Sequence, residues 1–182
     1  MLSNGMLSNG NILLRNFKES DKFQIAEICN NKNIWNNVRD FLPSPYTVQD
    51  AEDFIKLCQD ENFQTNFAIE FEGNYVGSVG LTLQKDIYRL NAEIGYLIGE
   101  QYWNKGIATA AVNLIVDYAF NNLDLIRIYA SVFDFNKGSQ RVLEKSGFKL
   151  DCIFEKSIIK NNKIIDEYRY SKINENYKIT TQ

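Results

Sequence analysis

The sequence predicts an α+β fold, a single domain whose central mixed, mostly antiparallel sheet has about seven strands and is flanked by about four helices. Three observations lead to this prediction. The chain has 182 residues, the length of one ordinary domain, and 45% of them are hydrophobic. Segments in which apolar residues alternate are interspersed with segments of helical periodicity. One strand–helix–strand unit, at 91–133, predicts a parallel crossover, whereas tight turns join other strands.

The first half of the chain predicts one strand, two helices and a hairpin. Ser20 or Asp21 offers an N-cap for the first helix, and Thr47 caps the second. Period-2 alternation and a turn at Gly73 predict the hairpin. The predicted elements are a strand at 12–17, helices at about 21–31 and 48–60, with an irregular aromatic segment at 33–46 between them, and the hairpin at 66–83.

The second half predicts four strands and two helices. Gly147 is a good C-cap for the second of these helices. The predicted elements are strands at about 91–98, 125–133, 148–158 and 164–173, and helices at about 107–121 and 136–145. The domain is expected to span 12–174. Residues 1–11, which contain the pentapeptide MLSNG twice, and 175–182 are expected to be tails.

The absence of histidine excludes several kinds of catalytic site. Without it the chain cannot build a Ser-His-Asp triad, a Cys-His dyad or a His-based zinc site, and we expect no metal. The three cysteines, Cys29, Cys58 and Cys152, form no CxxC pair. Their odd number and wide spacing fit free thiols in a reducing cytosol, so we expect a cytoplasmic protein.

Charge and hydropathy exclude two classes of partner. The net charge of −3 argues against nucleic-acid binding, which needs a basic surface. No segment approaches the roughly 18 apolar residues of a membrane span, and the N-terminus lacks the apolar core of a signal peptide. We therefore expect no nucleic-acid partner and no membrane partner.

The turn at 102–109, between a predicted strand and a predicted helix, is the first segment that indicates chemistry. A helix N-terminus presents unpaired N–H groups and the positive end of the helix dipole. Gly106 and Ala108 keep this turn free of bulky side chains, so an anion can approach the backbone as in a phosphate site. The turn matches neither the Walker loop nor GxGxxG, and a plain β-to-α turn would explain it equally well.

The second such segment begins at Asn136, at the N-cap of the next predicted helix. Ser139, one turn on, could face the same cleft if the two strand–helix units splay apart. Residues 101–150 carry six basic and four acidic side chains, a net charge of +2 in a chain of net −3, which favours an anionic ligand. The alternatives are that Asn136 only caps the helix and that these charges are solvated helix faces.

These segments together resemble the acyl-CoA-binding half of the GNAT superfamily of N-acetyltransferases. Residues 92–98 resemble its fourth strand, the family's loop motif [RQ]-x-x-G-x-[GA] falls on 103–108, and 136–148 resemble its second coenzyme A motif. The segments at 14–21 and 45–54 resemble the branch that contains ribosomal-protein N-terminal (alanine or serine) acetyltransferases.

The resemblance implies acetyl-CoA as the cofactor. The positions that it assigns to cofactor binding are Tyr96, Leu97, Ile98, Trp103, Asn104, Lys105, Gly106, Ile107, Ala108, Thr109, Asn136 and Ser139. Two positions depart from the family pattern. Trp103 stands at the Arg/Gln position of the loop motif. Leu143 stands seven residues after Asn136, where many members have a tyrosine that protonates the departing thiolate.

A mechanism requires a free-base amine, a donor for the carbonyl oxygen and a donor for the thiolate. An α-amine, with a pKa of about 7.7–8.0, needs only a weak base, and Glu93 acting through a water is the candidate. Glu93 could equally be a surface carboxylate on a strand. A backbone N–H near Leu97 could stabilise the carbonyl oxygen, and the Ser139 hydroxyl could hydrogen-bond the thiolate.

The acceptor is expected to lie against 34–46 and the turn at 160–163, where Trp35, Phe41 and Tyr46 would line its pocket unless they pack under a loop. The predicted function is transfer of an acetyl group to a primary amine of a protein N-terminus, a polyamine or a small metabolite. A non-catalytic acyl-CoA sensor and a pure interaction domain are the alternatives. Because members of the family are often dimers, the resemblance is also compatible with a homodimer.

Overall fold

The computed structural model describes residues 6–59 and 64–178. In this part of the chain, eight strands form one sheet and five α-helices pack against it. The strands are β1 Leu7–Asn9, β2 Ile12–Arg15, β3 Asn66–Phe71, β4 Asn74–Leu83, β5 Asn91–Ile98, β6 Arg127–Phe133, β7 Lys149–Lys160 and β8 Lys163–Ile173. The helices are α1 Lys22–Cys29, α2 Lys32–Trp35, α3 Val48–Gln59, α4 Ile107–Asn122 and α5 Lys137–Lys145.

The sheet order is β1-β2-β3-β4-β5-β6-β8-β7. Among the described strands only β5 and β6 pair in parallel, through the α4 crossover, and the other neighbours are antiparallel. The predicted mixed, mostly antiparallel α+β fold is therefore confirmed. Residue 60, the expected end of the second helix, lies outside the described residues, as do 1–5 and 179–182 of the expected tails.

Two elements appear where the sequence predicted none. Residues 7–9 lie in the expected N-terminal tail, yet they form β1, because a turn with Gly10 at φ 59° pairs Leu7 with Leu14. The short helix α2 lies mostly within the segment expected to be irregular. Its N-cap is Asn31, whose side chain accepts hydrogen bonds from the backbone N–H groups of Asn33 and Ile34. Neither element is long enough to show a periodicity.

A separate hydrophobic cluster covers each face of the sheet. Alternation along β3 sends Phe67 and Ile69 to one face, where they pack with α4, and Ala68 to the other, where it packs with α1 and α3. Among the described helices, none is both long and apolar enough to cross a membrane.

Strands β5 and β6 separate at one end of the sheet. They pair only through three residues each, ending at Glu93 opposite Tyr129. Beyond that point β5 stays paired with β4 as far as Ile98, and β6 stays paired with β8 as far as Phe133. Each strand is thus held by its outer neighbour while the inner edges diverge. The two strand–helix units thus splay apart, which is the condition under which Ser139 can face a cleft between them.

Candidate active site

The N-terminus of α4 lies at the open end of the splay. Gly106 is its N-cap, with φ 78°, and Asn104 is also in the left-handed region, with φ 61°. The first N–H groups of any helix lack an acceptor within it, and no described side chain caps those of α4. A Cβ built on Gly106 would meet nothing within 4 Å, so the space above this turn is open. Uncapped N–H groups beside open space suit a phosphate oxygen.

Trp103 fixes the loop before α4 to the end of β5. Its indole N–H donates to the carbonyl oxygen of Ile98 at 2.8 Å, and its side chain remains 40% exposed. Lys105 adds a cation to the same loop, with its ammonium 5.4 Å from the centroid of the Tyr102 ring. At the family's Arg/Gln position this chain therefore has an indole that holds the loop, and the nearby positive charge comes from Lys105.

The second helix N-terminus, that of α5, faces Tyr96 across the splay. The Asn136 side-chain oxygen accepts from the Ser139 N–H at 3.0 Å and caps the helix, and no described residue accepts from its amide NH₂. The Tyr96 hydroxyl lies 2.8 Å from Ser139 Oγ and 3.2 Å from the Ser139 carbonyl oxygen. Burial raises the pKa of Tyr96 to about 12, so this hydroxyl stays protonated at neutral pH.

Leu143 is fully buried in the core between α5 and the sheet. Its side chain is a hydrocarbon, so this position packs the core and offers no proton donor. Two hydroxyl groups do lie at the splay, that of Tyr96 on β5 and that of Ser139 in the first turn of α5.

Glu93 lies on the opposite face of the sheet from Tyr96, because side chains alternate along β5. The Glu93 carboxylate forms an ion pair with Arg39, which lies between α2 and α3. The Glu93 side chain is 20% exposed. Tyr129 on β6 is directly opposite Glu93 in the register. Burial raises the pKa of the Tyr129 hydroxyl, and the negative charge of Glu93 raises it further.

The three residues expected to bind the acceptor do not form one surface. Trp35 lies under the β7–β8 turn, with the Lys160 ammonium 3.6 Å from its ring centroid. Phe41 is 97% exposed, whereas Tyr46 is buried in the core, where its backbone is held by Asn30. The two segments expected to flank the acceptor do meet, since Lys160 also forms an ion pair with Asp40 at 2.6 Å.

The sequence did not identify several residues that lie near Glu93. In β6 the alternation that places Ile128 and Ala130 in the core places Tyr129 and Ser131 on the Glu93 face, so the pattern contained this signal. Arg39 and the β8 residue Arg169 had no local signal, because their positions depend on contacts between distant segments. The described residues contain no group of His, Cys, Asp and Glu that could hold a metal.

Comparisons with known proteins agree with this geometry. A family model described as "Acetyltransferase (GNAT) domain" matches residues 11–149. The chain is 28% identical over 167 residues to the uncharacterized N-acetyltransferase YnaD of Bacillus subtilis, a match covering 91% of this chain and 95% of that protein.

Two solved structures illustrate the shared fold. The ribosomal-protein-S5-alanine acetyltransferase of Vibrio fischeri superposes with a TM-score of 0.82 at 23% identity, over 96% of this chain and 99% of that one. The spermidine N-acetyltransferase of Vibrio cholerae, solved with coenzyme A and spermine, superposes with a TM-score of 0.78 at 24% identity, over 93% and 99%. The chain thus belongs to the GNAT family of N-acetyltransferases, as its motifs predicted.

Proposed function

We propose that this protein transfers the acetyl group of acetyl-CoA to a primary amine by direct attack within a ternary complex. The observation that supports this best is the splay of β5 and β6, with the N-termini of α4 and α5 on one side and Glu93 on the other. An acyl carrier can enter from the helix side while an amine approaches from the Glu93 side. The acceptor class covers a protein N-terminus, a polyamine or a small amine.

The residues at the helix side fit acetyl-CoA. The uncapped first turn of α4 after Gly106 would hold the pyrophosphate, with Lys105 beside it. The Asn136 amide would donate to a carbonyl of the pantetheine arm, and the backbone of Tyr96, Leu97 and Ile98 would line that arm. When bound, acetyl-CoA supplies a thioester whose carbon–sulfur bond breaks as the carbon–nitrogen bond forms, so one proton leaves the amine and one reaches the sulfur.

Ser139 would donate the hydrogen bond that stabilises the sulfur as it leaves. Tyr96 supports this role, because its hydroxyl can donate to Ser139 Oγ at 2.8 Å and leave the serine proton free to point away. A coenzyme A thiol has a pKa of about 8.5, so it needs stabilisation rather than a strong acid. The odd-numbered residues of β5, Leu97 among them, direct their backbone groups towards β4, so the N–H groups of Tyr96 and Ile98 point into the splay. One of these two N–H groups would stabilise the negative charge that develops on the carbonyl oxygen.

Glu93 would accept the proton of the attacking amine, through a water, with the carboxylate oxygen that Arg39 leaves unpaired. Arg39 holds the other oxygen and so fixes the orientation of the carboxylate. Tyr129, opposite Glu93, closes the other side of this position.

Mass spectrometry of a peptide and amine panel incubated with the protein and acetyl-CoA tests the proposed function. We expect a mass gain on at least one amine, together with stoichiometric release of thiol. Ser139→Ala should lower kcat by about 10- to 100-fold with little change in acetyl-CoA affinity. The matched control is Ser157→Ala, which removes an exposed hydroxyl on β7. Equal kcat values for the two variants would exclude the role of Ser139.

The pH–rate profile tests Glu93. Glu93→Gln should remove the ionisation on the acidic limb of kcat/KM, whereas Glu72→Gln, in the exposed β3–β4 turn, should leave the profile unchanged. A profile that keeps its acidic limb in Glu93→Gln contradicts the assignment.

A non-catalytic acyl-CoA sensor is the second candidate. It is favoured by Leu143, which leaves the family's usual proton donor position without a donor. A sensor would bind acetyl-CoA tightly without releasing thiol in the presence of any amine of the panel.

A further inference from the structure

The Glu93 face of the sheet carries a row of charged and aromatic side chains from three strands. Tyr129 and Ser131 come from β6, and the facing residues come from β8, where Arg169 pairs with Ser131 and Glu167 pairs with Phe133. We call Glu93, Tyr129, Ser131, Arg169 and Glu167 the acceptor face. If the amine binds at Glu93, as the proposed function requires, the rest of the acceptor can extend over these residues.

The carboxylates along this face are already paired with arginines. Glu93 pairs with Arg39, and Glu167 Oε1 lies 2.6 Å from Arg169 Nη2. Glu167 also accepts a hydrogen bond from the Ser131 hydroxyl at 3.0 Å. A polyamine needs carboxylates that are open to its several ammonium groups, and each carboxylate of the acceptor face already has a cation.

The carboxylates near β5 that lack a cationic partner among the described residues lie elsewhere. Glu27 and Glu100 line a cavity of about 230 Å³ between α1, α2 and the turn after β5. Asn31 and Asn33 already donate to Glu100, at 2.6 and 2.8 Å. This cavity lies on the same side of the sheet as Glu93 but beyond the C-terminal end of β5, and the chain advances about 20 Å from Glu93 to Glu100.

Arg169 is held in place and retains unused hydrogen-bonding capacity. Its guanidinium carbon lies 4.8 Å from the centroid of the Phe154 ring and 5.3 Å from that of Tyr129, so two aromatic rings limit its movement. Its Nε is buried, and neither Nε nor Nη1 has a hydrogen-bond partner among the described residues. The side chain is still 33% exposed, so Nη1 can reach a ligand.

We propose that Arg169 binds an oxygen of the acceptor, so that the acceptor is an amine with a carbonyl or carboxylate group close by, such as a peptide α-amine, and not a polyamine. Strand spacing places the Cα of Arg169 about 12 Å from that of Glu93. An extended peptide advances about 3.5 Å per residue, so a peptide whose amine is at Glu93 brings its third or fourth residue to the guanidinium. A carboxylate there would form a charge-assisted hydrogen bond.

Three hexapeptide amides with a free α-amine test the proposal, together with spermidine. The peptides differ only at the third position, which is Asp, Ala or Lys. Binding is measured by calorimetry on the protein saturated with coenzyme A, and acetylation is measured separately with acetyl-CoA. We expect the affinities to rank Asp above Ala above Lys, with spermidine binding more weakly than the Asp peptide.

Two variants connect this ranking to the guanidinium. Arg169→Met keeps a long apolar side chain, and we expect it to raise the Kd of the Asp peptide about 10- to 100-fold and to remove its advantage over the Lys peptide. Arg89→Met is the matched control, because Arg89 is exposed and precedes the N-terminal end of β5, where β5 is still paired with β6. Circular dichroism spectra and Kd values for acetyl-CoA that match those of the wild type would show that both variants are folded.

The outcomes separate this inference from the proposed function. Spermidine binding as tightly as the Asp peptide, or equal effects of Arg169→Met and Arg89→Met, would overturn the inference even if acetylation occurs. Peptide binding with the expected ranking but without acetyl transfer would support the inference and reject the enzymatic role.

Discussion

Gly77→Ala tests whether the position of β5 controls catalysis. Gly77 is on β4, opposite Ile98 at the end of β5. A Cβ at this position would lie 2.2 Å from the carbonyl oxygen of Leu97 and 3.0 Å from the Cα of Ile98. Both neighbours are backbone atoms, so no side-chain rotation can relieve the contact. The methyl group must push β5 towards the splay that would hold the acetyl group.

The size of the effect follows from these distances. Restoring a contact of 3.0 Å or more moves the Leu97 peptide by about 0.8 Å. A misplacement of about 1 Å can cost about 100-fold in rate, so we expect kcat to fall about 10- to 100-fold. Overpacking of this kind also costs about 1–3 kcal/mol of the free energy of unfolding.

Gly80→Ala on the same strand provides the matched control. Its Cβ would lie 1.9 Å from the side-chain oxygen of Asn66 on β3, and the nearest backbone atom is 3.6 Å away. The strain therefore falls on a side chain on the far side of β4 from β5. We expect both variants to lower Tm and only Gly77→Ala to lower kcat, measured by thiol release and thermal denaturation. Equal kcat losses in the two variants would refute the assignment of the backbone at the end of β5 to the reaction.

Three further predictions concern the cofactor loop, acid stability and thiol reactivity. Gly106→Ala should weaken acetyl-CoA binding about 10-fold or more in calorimetry, because the methyl group occupies the open space above a turn that also needs φ 78°; unchanged affinity would exclude this turn as the phosphate site. The hydrogen bond from Arg15 lowers the pKa of Glu70, so its stabilisation is complete above the unfolded value of about 4.3 and is lost as pH falls through the lower folded value. In urea titrations between pH 6 and about pH 3, Glu70→Gln should therefore flatten the decline in stability, and an unaltered decline would contradict this. Burial raises the pKa of the Cys29 thiol to about 12, so iodoacetamide at about pH 8 should label the exposed Cys152 first; mass mapping that finds Cys29 labelled as fast would contradict the buried placement.

The sequence predicted most elements of the fold because their signals are local. The apolar positions of α4 recur at helical spacing, and those of β6 alternate, so both elements are present within one or two residues of their predicted ends. The loop at Gly106 and the cap at Asn136 were identifiable for the same reason, since a capping residue acts within one helical turn. The sequence did not reveal β1 or α2, which are too short to show a period.

The sequence by itself determined the fold class, the family and the two helix N-termini at the splay, because each depends on spacing within a few consecutive residues. Only the tertiary structure brought Arg39 to Glu93, stacked Arg169 between the rings of Tyr129 and Phe154, and buried Tyr46. These contacts join residues that are far apart in the chain, and they depend on strand order and helix packing. For this reason the surroundings of Glu93 were decided by the folded chain and not by any local pattern.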